Sequence, residues 1–217
     1  MGMGINVREA IAKRAAEEIK DGMVVNLGIG IPTLVANYIP PNINVMFHAE
    51  NGVLGTGPAP LTGEEDANLC NAGGIPMTVV PGASYFDSTM AFGIIRRGLL
   101  DVTILGAFEV SEKGDLANWI VPGKIVSGMG GAVDLAQKAK KVIVLMNHTD
   151  KYGNSKIVRE CSLPLTAETC VNLIITDMAV IEITNEGLQL IEVKEPYSVD
   201  EVIKATGAPL HVPDYVK

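Results

Sequence analysis

Several short stretches of this chain are apolar at consecutive positions, and this constrains the fold more than any other feature. KVIVLM (141–146) is the extreme case, and MVVNLG (23–28) and NLIITD (172–177) are related runs. Neighbouring residues of a strand point to opposite faces, so a run that is apolar throughout must be covered on both. Segments with helical spacing lie between these runs. Val7, Ile11, Ala15 and Ile19 recur every four residues with Arg, Lys and Glu between them, and STMAFGIIRRG (88–98) carries an apolar face. Strands alternating with helices predict an α/β fold: a single open, mostly parallel sheet flanked by helices. No linker, repeat or low-complexity tract interrupts the pattern, so residues 1–217 read as one domain.

The first helix is expected over 6–20, with Asn6 as N-cap and Gly22 as stop. Strands are expected at 23–28, 43–47, 77–82, 141–146, 172–177, 179–184 and 188–193, and strand followed by loop within 101–110. Helices are expected at 33–38, 88–98, 131–139 and 198–206. In the last, Ser198 followed by Glu201 forms a capping box.

Composition excludes several classes of function. The formal net charge is -8, with no basic face to meet a nucleic-acid backbone. No apolar run approaches the roughly 20 residues of a membrane span. The N-terminal MGMGINVREA has no apolar signal core. Cys70, Cys161 and Cys170 are widely spaced and form no CxxC pair, which supports neither a zinc site nor a disulfide framework. They are expected to be buried, reduced and structural, in a soluble cytoplasmic protein. His48, His148 and His211 are not at metal-ligand spacing.

Glycines concentrate just after the expected strands, in GIGIP (28–32), GVLGTGP (52–58), PGAS (81–84) and GMGGA (128–132). Open α/β sheets bind ligands beyond the carboxyl ends of their strands, so these exits suggest one crevice where backbone approaches a ligand closely. The Gly128–Gly131 turn precedes a helix and could present N–H groups to an anion, or could simply be a tight turn. It matches neither a dinucleotide fingerprint nor a P-loop, and Gly123-Lys124 lacks the glycine that a P-loop needs upstream. Asn26 interrupts an apolar strand; it is either a structural amide bonded to nearby backbone or a donor aimed into the crevice. Glu50, in FHAENGVLGTGPAP (47–60), is an acid between an apolar run and a series of glycines. A desolvated carboxylate held against an electrophile is a covalent nucleophile. The same glutamate could be a helix cap, a turn acid or half of a salt bridge. His48, two residues away, could share its face.

Six segments occur in an order that resembles the β subunit of the family I coenzyme A transferases, the 3-oxoacid group. They are VNLGIGIP (25–32), ENGVLGTGP (50–58), NAGGIPMTVVPGASYFDS (71–88), DVTILGAFEVSEKGDLANWIVPGK (101–124), GMGGAVDLA (128–136) and CSLPLT (161–166). The resemblance spans about Val7 to Thr206. It implies that Glu50 of the Glu-Asn-Gly motif is the nucleophile, forming a glutamyl-CoA thioester in a ping-pong exchange. It further implies Asn26 as a side-chain donor to the reacting carbonyl and Gly131 and Ala132 as backbone oxyanion donors. Asn51, Gly52, Gly28, Gly30, Gly128 and Gly130 would contact substrate or CoA. Coenzyme A would be a substrate, with no metal or redox cofactor, and a separate α subunit would complete an α₂β₂ assembly. The family commonly has lysine where this chain has Gly74, and serine where it has Ala49. The same architecture also hosts sugar-phosphate isomerases and ligand-sensing domains, which are the competing expectation.

Overall fold

In the computed structural model, residues 4–123, 126 and 128–216 are described; Lys124 lies outside them. Among the described residues there are four α-helices: α1 (Ile5–Ala16), α2 (Ser88–Arg96), α3 (Ala132–Lys138) and α4 (Val199–Ala205). The strands are β1 (Val24–Leu27), β2 (Met46–Ala49), β3 (Val53–Thr56), β4 (Val79–Tyr85), β5 (Val102–Gly106), β6 (Glu109–Ser111), β7 (Leu116–Ala117), β8 (Lys141–Leu145), β9 (Ile157–Val158), β10 (Leu173–Ile175), β11 (Ala179–Thr184), β12 (Gly187–Val193) and β13 (Leu210–His211). Ten form one sheet in the order β13-β12-β11-β10-β8-β5-β1-β2-β3-β4, and β7-β6-β9 form a small second sheet.

The centre of the large sheet, β10-β8-β5-β1-β2, is parallel, as the consecutive apolar runs require. Antiparallel strands flank it on both sides. Strand β8 shows why both faces must be covered. Val142 and Val144 pack with Ile95 of α2, Leu135 of α3 and Val202 of α4, whereas Ile143 and Leu145 pack with Ile11 and Ala15 of α1. Each fully buried aliphatic side chain contributes roughly 1.5–3 kcal/mol, so an amphipathic strand pattern would leave one helix layer without a partner.

Several boundaries differ from expectation, each for a local reason. Helix α1 starts at Ile5 with extended Gly4 as its N-cap and no side-chain cap bond, so Asn6 lies inside the helix and is not its cap. It ends at Ala16, because Glu18 and Ile19 donate to carbonyls three residues back and tighten the final turn. The segment expected as a helix at 33–38 is a 3₁₀ helix, Ile31–Tyr38, with Pro32 in its first turn. The expected 43–47 strand moves to β2, where Val24, Val25 and Asn26 of β1 pair with Met46, Phe47 and His48. The 101–110 run divides after Gly106, β5 staying in the large sheet and β6 entering the small one. GVLGTGP, expected as a strand exit, contains strand β3. Strand β4 runs through Pro81, which lacks a backbone donor; its place at the sheet edge accommodates this. The capping box at Ser198 and Glu201 is present as expected.

Beyond the end of β8, the buried His148 ring reaches Thr176 Oγ1 through Nδ1 (3.0 Å) and Thr206 Oγ1 through Nε2 (2.9 Å). The Thr206 hydroxyl donates to the Val202 carbonyl, so its oxygen is left to accept from Nε2–H. Thr176 accepts from the amides of Met178 and Ala179 and holds its own proton between the Ala179 carbonyl and Nδ1. This arrangement suits a neutral imidazole. Burial pushes the His148 pKa down to about 4, against a weaker upward pull from Asp177.

Candidate active site

Glu50 lies in the three-residue loop of a hairpin. Strands β2 and β3 are antiparallel, with His48 opposite Leu54 and Ala49 opposite Val53. The Gly52 amide donates to the Ala49 carbonyl (3.0 Å), and the Phe86 amide donates to the Gly52 carbonyl (3.0 Å). Gly52 has φ +118°, and a Cβ there would lie 2.1 Å from the Phe86 carbonyl oxygen. Only glycine fits that approach. The hairpin is where the parallel part of the sheet gives way to the antiparallel edge, and Glu50 is presented beyond the carboxyl end of β2.

Asn26 holds the carboxylate. It is 1% exposed, and its Nδ2 donates to Glu50 Oε2 and to the His48 carbonyl, both at 3.0 Å. The Thr103 hydroxyl donates to Asn26 Oδ1 at 3.3 Å. Asn26 is thus bonded to backbone, as a structural amide would be, and the same nitrogen also reaches the acid. A hydrogen bond to an ionised group is worth about 1.5–3 kcal/mol, enough to restrict a side chain that is otherwise free to turn outward.

The His48 ring, which could have been a satisfied strand-end histidine, is 3% exposed with neither nitrogen hydrogen-bonded, and it stacks on Phe86 at 6.1 Å. Burial pushes its pKa below the ordinary histidine value, opposed by the charge of Glu50. It adds no strong positive charge beside the carboxylate at neutral pH.

A cleft of about 230 Å³ opens beside Glu50. Leu27, Phe47 and Ala49 form one wall, and Gly73, Ile75 and Met77 form another. Glu50 is the only charged side chain among the described residues that line it. The second wall belongs to a long excursion between β3 and β4. Its neck is closed by the Gly57 amide on the Thr78 carbonyl (2.7 Å) and the Thr78 amide on the Pro58 carbonyl (3.0 Å). A Cβ on Gly57 would lie 2.5 Å from Thr78 Oγ1 and would displace the hydroxyl from its bond to the Pro58 carbonyl. Asn51 Nδ2 donates to the Cys70 carbonyl (2.7 Å) and ties the excursion to the hairpin. Gly74 has φ +74° and is exposed.

The Gly128–Gly131 turn approaches from the α2–α3 side. Gly131 caps α3, and a Cβ on it would lie 3.1 Å from the Phe92 ring and 3.7 Å from Glu50 Cγ. Gly128 and Gly130, both at positive φ, are exposed. The Ala132 amide donates to the Met129 carbonyl at 3.3 Å, so this expected oxyanion donor is engaged within the turn. Gly28 packs against β5, its amide bonded to the Ile104 carbonyl (2.8 Å), and so fills a structural place. Gly30, at φ +96°, opens the 3₁₀ helix and is exposed. The expectation of three buried cysteines is corrected: Cys70 is exposed, while Cys161 and Cys170 are half-buried with thiols pushed up to about 12, chiefly by burial. Thr103 escaped sequence reasoning; the signal was a hydroxyl inside an apolar strand, of the same kind that drew attention to Asn26.

Among the described residues no group of three or more His, Cys, Asp or Glu could hold a metal, and no helix is long and apolar enough to cross a membrane. The sequence matches the coenzyme A transferase family over residues 8–205. It is 59% identical over 212 residues to a probable coenzyme A transferase beta subunit of Bacillus subtilis, covering 98% of each chain. It is 55% identical over 206 residues to one of the subunits of a succinyl-CoA:3-ketoacid coenzyme A transferase of Helicobacter pylori, covering 95% of this chain and 99% of that one. The fold is similar to the acyl-CoA transferase YdiF apoenzyme of Escherichia coli O157:H7, with a TM-score of 0.77 and 23% identity. All of this chain aligns with 44% of that one.

Proposed function

Because the chain belongs to the coenzyme A transferase family as a β-type subunit, we propose that it moves CoA from an acyl-CoA to a carboxylic acid through a glutamyl-CoA thioester on Glu50. The observation that carries this reading is the Asn26 amide 3.0 Å from Glu50 Oε2 at a hairpin tip beside an open cleft. The free carboxylate oxygen attacks the thioester carbonyl, giving a mixed anhydride and releasing CoA thiolate. The thiolate attacks the glutamyl carbonyl, the first acid leaves as carboxylate, and glutamyl-CoA remains. A second carboxylate attacks that thioester, CoA thiolate leaves, and the thiolate takes the new acyl group from the anhydride while Glu50 is regenerated. The thioester bond is exchanged without net oxidation, so coenzyme A serves as a substrate and the chemistry needs neither metal nor redox cofactor.

Asn26 has a defined place in this sequence. Oε2 becomes the carbonyl oxygen of the anhydride and of the glutamyl thioester, and it carries the negative charge whenever that carbon becomes tetrahedral. A donor already aimed at it stabilises the charge without reorganisation, an effect worth about 3 kcal/mol where such donors have been removed elsewhere. The Gly131 turn lies beside the Glu50 side chain and would meet the CoA limb, with Gly131 as the backbone donor. Asn51 and Gly52 hold the hairpin, and the exposed Gly30, Gly128 and Gly130 leave room for the thioester.

The acid is a short-chain or 3-oxo monocarboxylic acid, of the butyrate or acetoacetate kind. A cleft that is mainly apolar and has no cation among its described lining residues supports this, since those residues offer a second carboxylate no counter-charge. The cleft is open, and a separate α subunit closes it in an α₂β₂ assembly. The acidic chain and its free thiols fit a cytoplasmic setting.

The test uses the protein with its α partner. After incubation with acyl-CoA, borohydride reduction or peptide mass spectrometry should find the adduct at Glu50, and Glu50→Gln should abolish both adduct and turnover. Full turnover in Glu50→Gln would refute the mechanism.

A further inference from the structure

Thr103, Asn26 and His48 lie abreast on three neighbouring parallel strands. Asn26 of β1 is in register with His48 of β2 on one side and with Thr103 of β5 on the other. Residues in register on parallel strands point to one face, and here it is the face covered by α2 and α3, where Leu105 packs with Ile95 and Leu135. All three are nearly inaccessible: Thr103 is 0% exposed, Asn26 1% and His48 3%. A buried polar row within an otherwise apolar layer is costly unless its groups are satisfied. Those of Asn26 are: two acceptors take its amide protons, and the Thr103 hydroxyl donates to its oxygen.

We propose that Thr103 is a positioning residue for the nucleophile, acting through Asn26 on Glu50. This rests on the reading of Glu50 given above. The Thr103 hydroxyl does two things. It anchors the oxygen end of the Asn26 amide, leaving the nitrogen end facing Oε2. It also polarises the amide, because a donor on Oδ1 strengthens the N–H groups at the other end. The anchor matters most after acylation. Oε2 is then a neutral carbonyl and a weaker acceptor, and the orientation of Asn26 depends more on Thr103 and the His48 carbonyl. Without the hydroxyl, Oδ1 is buried with no donor and the amide is free to turn in search of one. The row contains no cation, so Glu50 is held by a neutral donor and stays nucleophilic; a lysine in the place of Asn26 would hold it and deactivate it.

Thr103→Val keeps the shape and removes the hydroxyl; Thr103→Ser keeps the hydroxyl. In the complex with the α partner, Thr103→Val should lower kcat by about tenfold, which corresponds to about 1.4 kcal/mol, and leave KM for acyl-CoA within about twofold. Thr103→Ser should recover most of the loss. A second readout does not depend on activity. The side-chain amide protons of Asn26 should exchange slowly with solvent by NMR in the unaltered protein and in Thr103→Ser, and fast in Thr103→Val. Wild-type kcat in Thr103→Val, or unchanged protection of the Asn26 amide, overturns the proposal. Failure of the glutamyl-CoA reading is separate: it appears as a missing Glu50 adduct in the unaltered complex, and the exchange measurement still decides the role of Thr103.

Discussion

A methyl group on Gly52 has no room, since its carbon would sit 2.1 Å from the Phe86 carbonyl oxygen, on backbone at φ +118°. Gly52→Ala should therefore open the hairpin, and the cost of overpacking plus the left-handed conformation is about 2–4 kcal/mol. Urea unfolding should show that loss, and Glu50 labelling by acyl-CoA should fall further than the loss of folded protein explains, because the hairpin is what aims the carboxylate. Asn26→Ala tests the neighbouring contact. It should leave substrate KM nearly unchanged and lower kcat by about a hundredfold, in line with removal of one preorganised donor; a change in KM alone would contradict a role in the transition state. Single residues were legible to different depths. Glu50 stood out as an acid among glycines, and Asn26 as an amide in an apolar strand. Their 3.0 Å contact did not, because it is set by the register of β1 on β2, which no local pattern encodes. Thr103 is a common strand residue, so its hydroxyl gave little reason for notice until the same register placed it beside Asn26.

At the level of elements, a cap that declares itself by a residue pair was readable, a lone candidate such as Asn6 was not, and neither were features set by a distant neighbour. The Ser198–Glu201 box needs residues three apart and was found where expected. Strand β2 lay up to three residues from its expected place, because pairing with β1 chooses which part of an apolar stretch becomes strand. The junction of β8 with α4 makes a pH prediction. In the folded chain burial holds the His148 pKa down at about 4, whereas the unfolded chain has the ordinary value near 6.5. The folded state thus binds fewer protons. The stability that depends on a neutral His148 is fully present above about pH 6.5 and is lost as pH falls toward 4, by about 3 kcal/mol in total. His48 acts in the same direction. Urea midpoints should therefore decline between pH 6.5 and 4.5, and His148→Gln should flatten most of that slope while lowering stability at pH 7.5. An unchanged slope would mean that His148 is not held neutral.

On the scale of the whole molecule, consecutive apolar runs identified the parallel centre because burial on both faces leaves a strong mark on composition. The antiparallel flanks were harder to see. Strand β3 is four residues long and includes a glycine, and the small β7-β6-β9 sheet is built from strands of two or three residues, too short to show a period. The cleft makes a prediction at this scale, since it takes its walls from β1, β2, the 3₁₀ helix and the excursion together. In acceptor assays of the complex, butyrate and acetoacetate should exceed succinate in kcat/KM by at least about tenfold, because the cleft's described lining residues offer a second carboxylate no cation and leaving it unpaired costs more than about 1.4 kcal/mol. Equal use of succinate would overturn the monocarboxylic reading.

The neck at Gly57 and Thr78 divides the site in two. The side chains that hold Glu50 from below belong to the sheet, whereas one wall of the cleft beside it is carried on a segment whose ends meet at a hydrogen-bonded clasp. Such a segment is a cassette. Grafting residues 58–77 from a transferase of different acid preference, with the Asn51 to Cys70 tether retained, should move the preference with the graft and leave Glu50 acylation intact. On the mechanism proposed above, new substrate preferences would arise by exchanging one clasped loop, with Glu50 and its supports left in place.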